Sequence, residues 1–328
     1  MHEHILVDAS QWWHRPSEDD THRQRIAHAA LAPEFLGTLR NDPFLSLDNA
    51  HLDDEEAAVE ELKRFRRAGG RTVVETTVRG IGRDPTALVR IARTVGLNII
   101  MGSGYYLEGA HPPEVAAMTV AGIADEIVRD VLEGVDGSGI RAGIIGEIGV
   151  SKDFTPAERR VLRAAARAQR QTQVPLSVHL PGWERRGGEV LDIVAEEGGR
   201  ISGTILGHMN PSLDDPDYQI ALAERGAWLE FDMIGMDFYY ADQEAQSPCD
   251  EENARAVVGL IRAGYVDRLL LSSDVFLKMM LVRHGGMGYA HILDNFVPRL
   301  RRHGVDEETL EQLLIGNPRA VFETARAQ

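Results

Sequence analysis

The run Gly143-Ile144-Ile145-Gly146-Glu147-Ile148-Gly149-Val150 is apolar throughout except for one carboxylate, Glu147. A short apolar stretch without strict alternation reads as a strand covered on both faces, as in parallel sheets. Seven more runs of this kind are spread along the chain, at residues 5–8, 72–77, 98–103, 176–180, 203–207, 227–232 and 269–273. Amphipathic stretches separate them, including residues 53–67, 85–95, 113–132, 156–171 and 251–263. Thr155-Pro156 with Glu158, and Asp84-Pro85, carry the side chains and first-turn proline that start a helix.

Eight strand–helix units predict an α/β fold, a closed (β/α)₈ TIM barrel. No Gly-x-Gly-x-x-Gly turn follows the first strand, which disfavours the doubly wound alternative. A single domain over residues 1–328 is expected, because such barrels often exceed 250 residues. Residues 9–49 read as one long irregular loop carrying Trp12, Trp13 and His14.

Composition narrows the function. A formal charge of −16 argues against nucleic acid as a partner, since its binding draws on clustered Lys and Arg. Cys249 is the only cysteine, so no intrachain disulfide is possible, in keeping with a reducing cytoplasm. No apolar run approaches 18 residues and no leader pattern opens the chain, so a cytoplasmic location without membrane contact is expected.

Barrel enzymes place their chemistry at the C-terminal ends of the strands. Five short sites with ligand chemistry fall near the predicted strands: His2-Glu3-His4, Glu147, His179 in Ser-Val-His-Leu, His208 in Leu-Gly-His-Met, and Asp274 in Ser-Ser-Asp. Residues two apart on a strand face the same side, so His2 and His4 would both point into the barrel. Each site alone has a plainer reading. The histidines are often hydrogen-bonded core groups, Asp274 suits a helix cap, and Glu147 suits a buried ion pair with arginine. Taken together they form a nitrogen and oxygen donor set without thiolate, suited to Zn²⁺, Mn²⁺, Co²⁺ or Fe²⁺. His22, His28, His51, His111 and His303 fall in loops or helices and read as solvated surface groups.

A longer series of motifs carries a family resemblance. It comprises Val73-Val74-Glu75-Thr76-Thr77 with Gly82-Arg83-Asp84-Pro85, and Gly102-Ser103-Gly104-Tyr105-Tyr106 with His111-Pro112. Gly146-Glu147-Ile148-Gly149, Gly207-His208, Leu271-Ser272-Ser273-Asp274 and Asn317-Pro318-Arg319 complete it. In this order the chain resembles the phosphotriesterase-related branch of the amidohydrolase superfamily, and within it the subset bridged by glutamate rather than carboxylated lysine. The resemblance implies two divalent metal ions, zinc first. His2, His4 and Asp274 would hold the more buried ion, His179 and His208 the more exposed one, and Glu147 would bridge both. Two features depart from the pattern. Met1 directly precedes His2 where relatives carry a β-hairpin, so an earlier start or an uncovered barrel floor is expected. Glu75 stands where aspartate is common.

The expected reaction is hydrolysis at a carbonyl or phosphoryl centre by a metal-activated hydroxide, with Asp274 as the catalytic proton carrier. By resemblance, lactones or carboxylic esters rank first, N-acyl amides or carbamates second, and phosphotriesters third. A barrel that binds metal or a partner without turnover is the different-class alternative. Substrate contacts are expected from Tyr105 or Tyr106, from Trp183 with Arg185 and Arg186, and from Arg283 or His284 in a glycine-rich loop. Apolar residues 276–282 suggest a homodimer contact.

Overall fold

The computed structural model of the chain describes residues 1–323. Seven of the apolar runs become parallel strands: β1 (Thr72–Glu75), β2 (Asn98–Ser103), β3 (Ile144–Gly149), β4 (Leu176–His179), β5 (Thr204–Leu206), β6 (Trp228–Phe231) and β7 (Leu269–Leu271). They hydrogen-bond in the order β7-β6-β5-β4-β3-β2-β1, so chain neighbours are always spatial neighbours. Crossover helices between parallel strands impose this order, and the sheet curls into a TIM-like barrel.

The eighth position corrects the sequence reading. Residues 5–8 leave the barrel, and Val7–Asp8 pairs antiparallel with His51–Leu52. The gap between β1 and β7 is filled by the segment just before them. On one side Glu3 donates to the Val74 carbonyl and accepts from Thr76, each at 3.0 Å. On the other, Asp274 donates to His2 and His4 donates to Val275, each at 3.2 Å. A buried carboxylate supplies the reason. Glu3 Oε1 accepts from Ser272 Oγ at 2.8 Å and Ser273 N at 3.0 Å, and Oε2 from Val275 N at 2.8 Å. An apolar-run criterion passes over a closing segment whose anchor is polar.

Most of the core lies between strands and helices. The opposite strand face forms a second apolar cluster of Val74, Ile144, Ile205, Trp228 and Leu270 with Val321. Asn317 of the Asn-Pro-Arg motif binds the C-terminal helix to β7 by donating to the Val266 and Leu269 carbonyls, both at 2.7 Å.

Three local expectations change. The stretch 113–132 splits into a 3₁₀ turn, Pro113–Ala117, and a helix, Val120–Leu132, because Thr119 caps the second piece. The loop 9–49 contains the helix Thr21–His28 and several short helical turns. Residues 276–282 are buried or half-buried, where an exposed apolar loop is expected. No described helix is long and apolar enough to cross a membrane.

Candidate metal centre

Glu147 owes its position to its glycine. Gly146 has φ +122°, and a Cβ there would sit 2.2 Å from the Ser177 carbonyl oxygen. The register between β3 and β4 shifts between Ile145 and Ile148, a local irregularity of the kind that re-aims a side chain. The carboxylate thereby faces three imidazoles. Oε2 lies 3.1 Å from His179 Nδ1 and 3.4 Å from His2 Nε2, and Oε1 lies 3.2 Å from His4 Nε2.

His2 and His4 reach the same space from the closing segment. His4 Nδ1 meets Thr77 Oγ1 at 2.8 Å, which leaves Nε2 turned toward Glu147 and Asp274. Asp274 Oδ1 lies 3.2 Å from His4 Nε2 and 3.6 Å from His2 Nε2. Asp274 and His208 both adopt left-handed backbone, at φ +45° and +57°. That conformation is uncommon outside glycine and persists where neighbours over-determine it. Here hydrogen bonds hold both residues, Asp274 N to His2 O and His208 N to Asp232. His208 Nε2 then stands 2.7 Å from His179 Nδ1.

All six expected ligand residues therefore converge at the C-terminal ends of the strands. Three overlapping donor groups have their atoms within 4.8 Å of one another: His2/His4/Glu147, Glu147/His179/His208 and His2/His208/Asp232. Donors about 2.0–2.2 Å from a shared Zn²⁺ lie roughly 3–3.6 Å apart, close to the separations seen here. His2 Nε2 and Asp274 Oδ1 are buried without a hydrogen-bond partner among the described residues, as the donor atoms of a cation site would be, while His2 Nδ1 faces carboxylates.

The electrostatics agree. Burial opposes charge on His2 and His4, yet Glu147 and Asp274 outweigh it, raising His2 well above its usual range and His4 to about 10. Burial likewise opposes the Glu147 anion, but His2 and His179 hold it well below the carboxylate range. The cluster retains its anions and draws positive charge. His179 runs the other way, lowered by burial and by His208, which leaves it a neutral donor.

Sequence reading missed Asp232 and Glu230. Asp232 Oδ1 is 2.9 Å from His208 Nδ1 and its Oδ2 is 3.4 Å from His2 Nδ1; Glu230 Oε2 is 3.7 Å from the same nitrogen. The signal was present, since two carboxylates two apart in the apolar run Leu229-Glu230-Phe231-Asp232 share one face. Glu75 is also buried, accepting from Ile5 N at 2.5 Å, and so anchors the chain leaving the closing segment.

A cavity of about 600 Å³ opens above the cluster, with His4, Glu147, His179, His208 and Asp274 among its lining residues. Tyr106 lines it, its hydroxyl 3.3 Å from His179, and so does Trp183. Tyr105 is elsewhere: its hydroxyl donates to Glu126 at 2.6 Å. Arg283 pairs with Asp54 at 3.3 Å, and neither it nor His284 is part of the cavity wall. His51 and His111 are half-buried and bonded to the Leu47 and Tyr106 carbonyls, at 2.7 and 2.8 Å, so they are not free surface groups.

A family model for the phosphotriesterase family matches residues 1–322. In sequence the chain is 36% identical to an N-acetyltaurine hydrolase from Tetraodon nigroviridis over 321 residues, 97% of this chain and 91% of that protein. A resiniferatoxin-binding protein from Rhodobacter sphaeroides superimposes with a TM-score of 0.96 at 55% identity, covering 98% of this chain and 89% of the other. The phosphotriesterase homology protein of Escherichia coli, solved with phosphate in its active site, gives a TM-score of 0.78 at 31% identity, covering 90% and 97%.

Proposed function

Since this chain belongs to the phosphotriesterase family, we propose that it is a metal-dependent hydrolase cleaving N-acyl amides. The observation that carries this reading is the convergence of His2, His4, Glu147, His179, His208 and Asp274 beside a substrate-sized cavity. The relatives favour amides over the esters and lactones that the sequence reading put first.

In this reading His2, His4 and Asp274 would hold one divalent ion and His179 and His208 a second, with Glu147 available to both sets. Such ions supply Lewis acidity and make water a nucleophile near neutral pH. Asp274 would take a proton from the attacking water at the carboxylate oxygen not given to the ion and return it to the departing nitrogen. An amide depends on that return, because an unprotonated amine anion leaves poorly. The Tyr106 phenol, raised by burial and by Glu147 and Asp274, stays protonated, and its place on the cavity wall 3.3 Å from His179 suits it to donate to the acyl oxygen.

Elemental analysis combined with matched amide, ester and lactone substrates tests the proposal. The expected result is about two divalent ions per chain and amide turnover abolished by a chelator. With glutamate as the bridge, reconstitution proceeds equally with and without bicarbonate. A folded protein that takes up no metal and hydrolyses nothing would instead be a binding barrel.

A further inference from the structure

Resting on the hydrolase reading, we propose that this chain's substrate is an uncharged amide bearing a bulky apolar group of aromatic size, and not the amide of an anionic amine. The first ground is the wall of the cavity. Its volume of about 600 Å³ falls within the roughly 300–1,000 Å³ typical of sites that enclose drug-sized ligands. Trp12 stacks on Phe44 with centroids 5.4 Å apart, Phe44 contacts Phe276 at 6.2 Å and Tyr240 at 5.7 Å, and Tyr240 meets Trp183 at 5.5 Å. All five line the cavity, so the aromatic belt is continuous. A small acetyl amide with a hydrated head group would leave most of that belt uncovered.

The second ground is charge. Lys152 is the only Lys or Arg lining the cavity among the described residues, and its side chain is exposed. Glu108 and Asp242, exposed like Lys152, and the half-buried Glu184 also line it without a salt bridge among the described residues, although burial raises the Asp242 carboxyl. The neighbouring arginines are engaged elsewhere, Arg185 with Asp214 at 2.7 Å and Arg186 with Glu189 at 3.1 Å. Away from the proposed metal ligands, an entering sulfonate or carboxylate meets three carboxylates against one lysine. An uncharged apolar group meets no such opposition and covers the belt.

N-acetyltaurine and N-acetyl-2-phenylethylamine share an acetyl amide and a two-carbon linker, differing in a sulfonate against a phenyl ring. With metal-loaded protein, kcat/KM for the phenyl amide is expected to exceed that for N-acetyltaurine by roughly tenfold or more. Calorimetric titration should rank binding in the same order, and Glu184→Lys should narrow the ratio. Preference for N-acetyltaurine in turnover and binding overturns the proposal while leaving the amidase reading intact. Binding of neither probe overturns it too. Binding of the phenyl amide without hydrolysis of either probe upholds the ligand chemistry and defeats the hydrolase reading.

Discussion

The Asp232 carboxylate accepts both N–H groups of His208, with Oδ1 2.9 Å from the ring Nδ1 and 3.0 Å from the backbone nitrogen. One residue thus sets the ring's tautomer and its left-handed backbone together. The lone pair of Nε2 is left facing His179 and the cavity. Asp232→Asn keeps one acceptor oxygen but removes the charge and puts an amide donor in place of Oδ2, which faces His208 N and His2 Nδ1. Metal affinity of the stripped protein is expected to fall roughly 10–100-fold in a calorimetric titration. Unaltered affinity would show that the pair is only structural.

Asp274→Asn keeps a side chain that tolerates the φ of +45° at this position, but it cannot carry the proton. Turnover should drop by about 10²–10⁴-fold, with the urea midpoint of the stripped protein nearly unchanged. Metal content is measured alongside, because Asp274 is also a proposed ligand. Full activity would remove Asp274 from the chemistry.

Glu75 provides a pH signature. Burial raises its pKa from 4.5 to about 7, against the opposing pull of His4 and of hydrogen bonds from Thr77 and Ile5. The folded state therefore holds this proton more tightly than the unfolded chain. That contribution to stability is complete below about 4.5 and is lost as the pH rises through about 7. Metal-stripped wild type should lose more stability between about pH 5 and pH 8 than Glu75→Gln, whose amide stays neutral. Urea midpoints with parallel pH slopes would contradict this.

Glu158 ties the cavity rim to a helix. Its Oε2 accepts from Ser151 N at 3.0 Å, Ser151 Oγ at 2.7 Å and Thr155 N at 3.1 Å, and its Oε1 from Glu108 N at 3.2 Å. Thr155→Ala, which removes only the other half of the capping box, should cost about 1 kcal/mol. Glu158→Ala strands several donors and should cost about 2–3 kcal/mol. Equal losses in urea unfolding would mean that the rim contacts contribute little.

Some of the site was legible in the chain and some was not, for reasons visible at particular residues. Glu147 stood out because a carboxylate inside an apolar strand needs a partner. Glu230 in β6 and Asp232 just after it carry the same signal, although the apolar residues alone are enough to mark the strand. Tyr105 and Tyr106 are adjacent and chemically alike, yet one meets Glu126 and the other His179. Only the path of the backbone separates them.

By itself the sequence determined the seven parallel strands and the candidate ligand residues near their C-terminal ends. Strands covered on both faces must be apolar, so they are written locally, and so are the histidines and acids that interrupt them. The tertiary structure decided how the barrel closes, which carboxylates orient the histidines, and which charges rim the cavity. Ser272 Oγ reaches the His2 carbonyl at 2.7 Å across 270 residues of chain. Partnerships of that range depend on backbone direction and burial, which no local window of sequence contains.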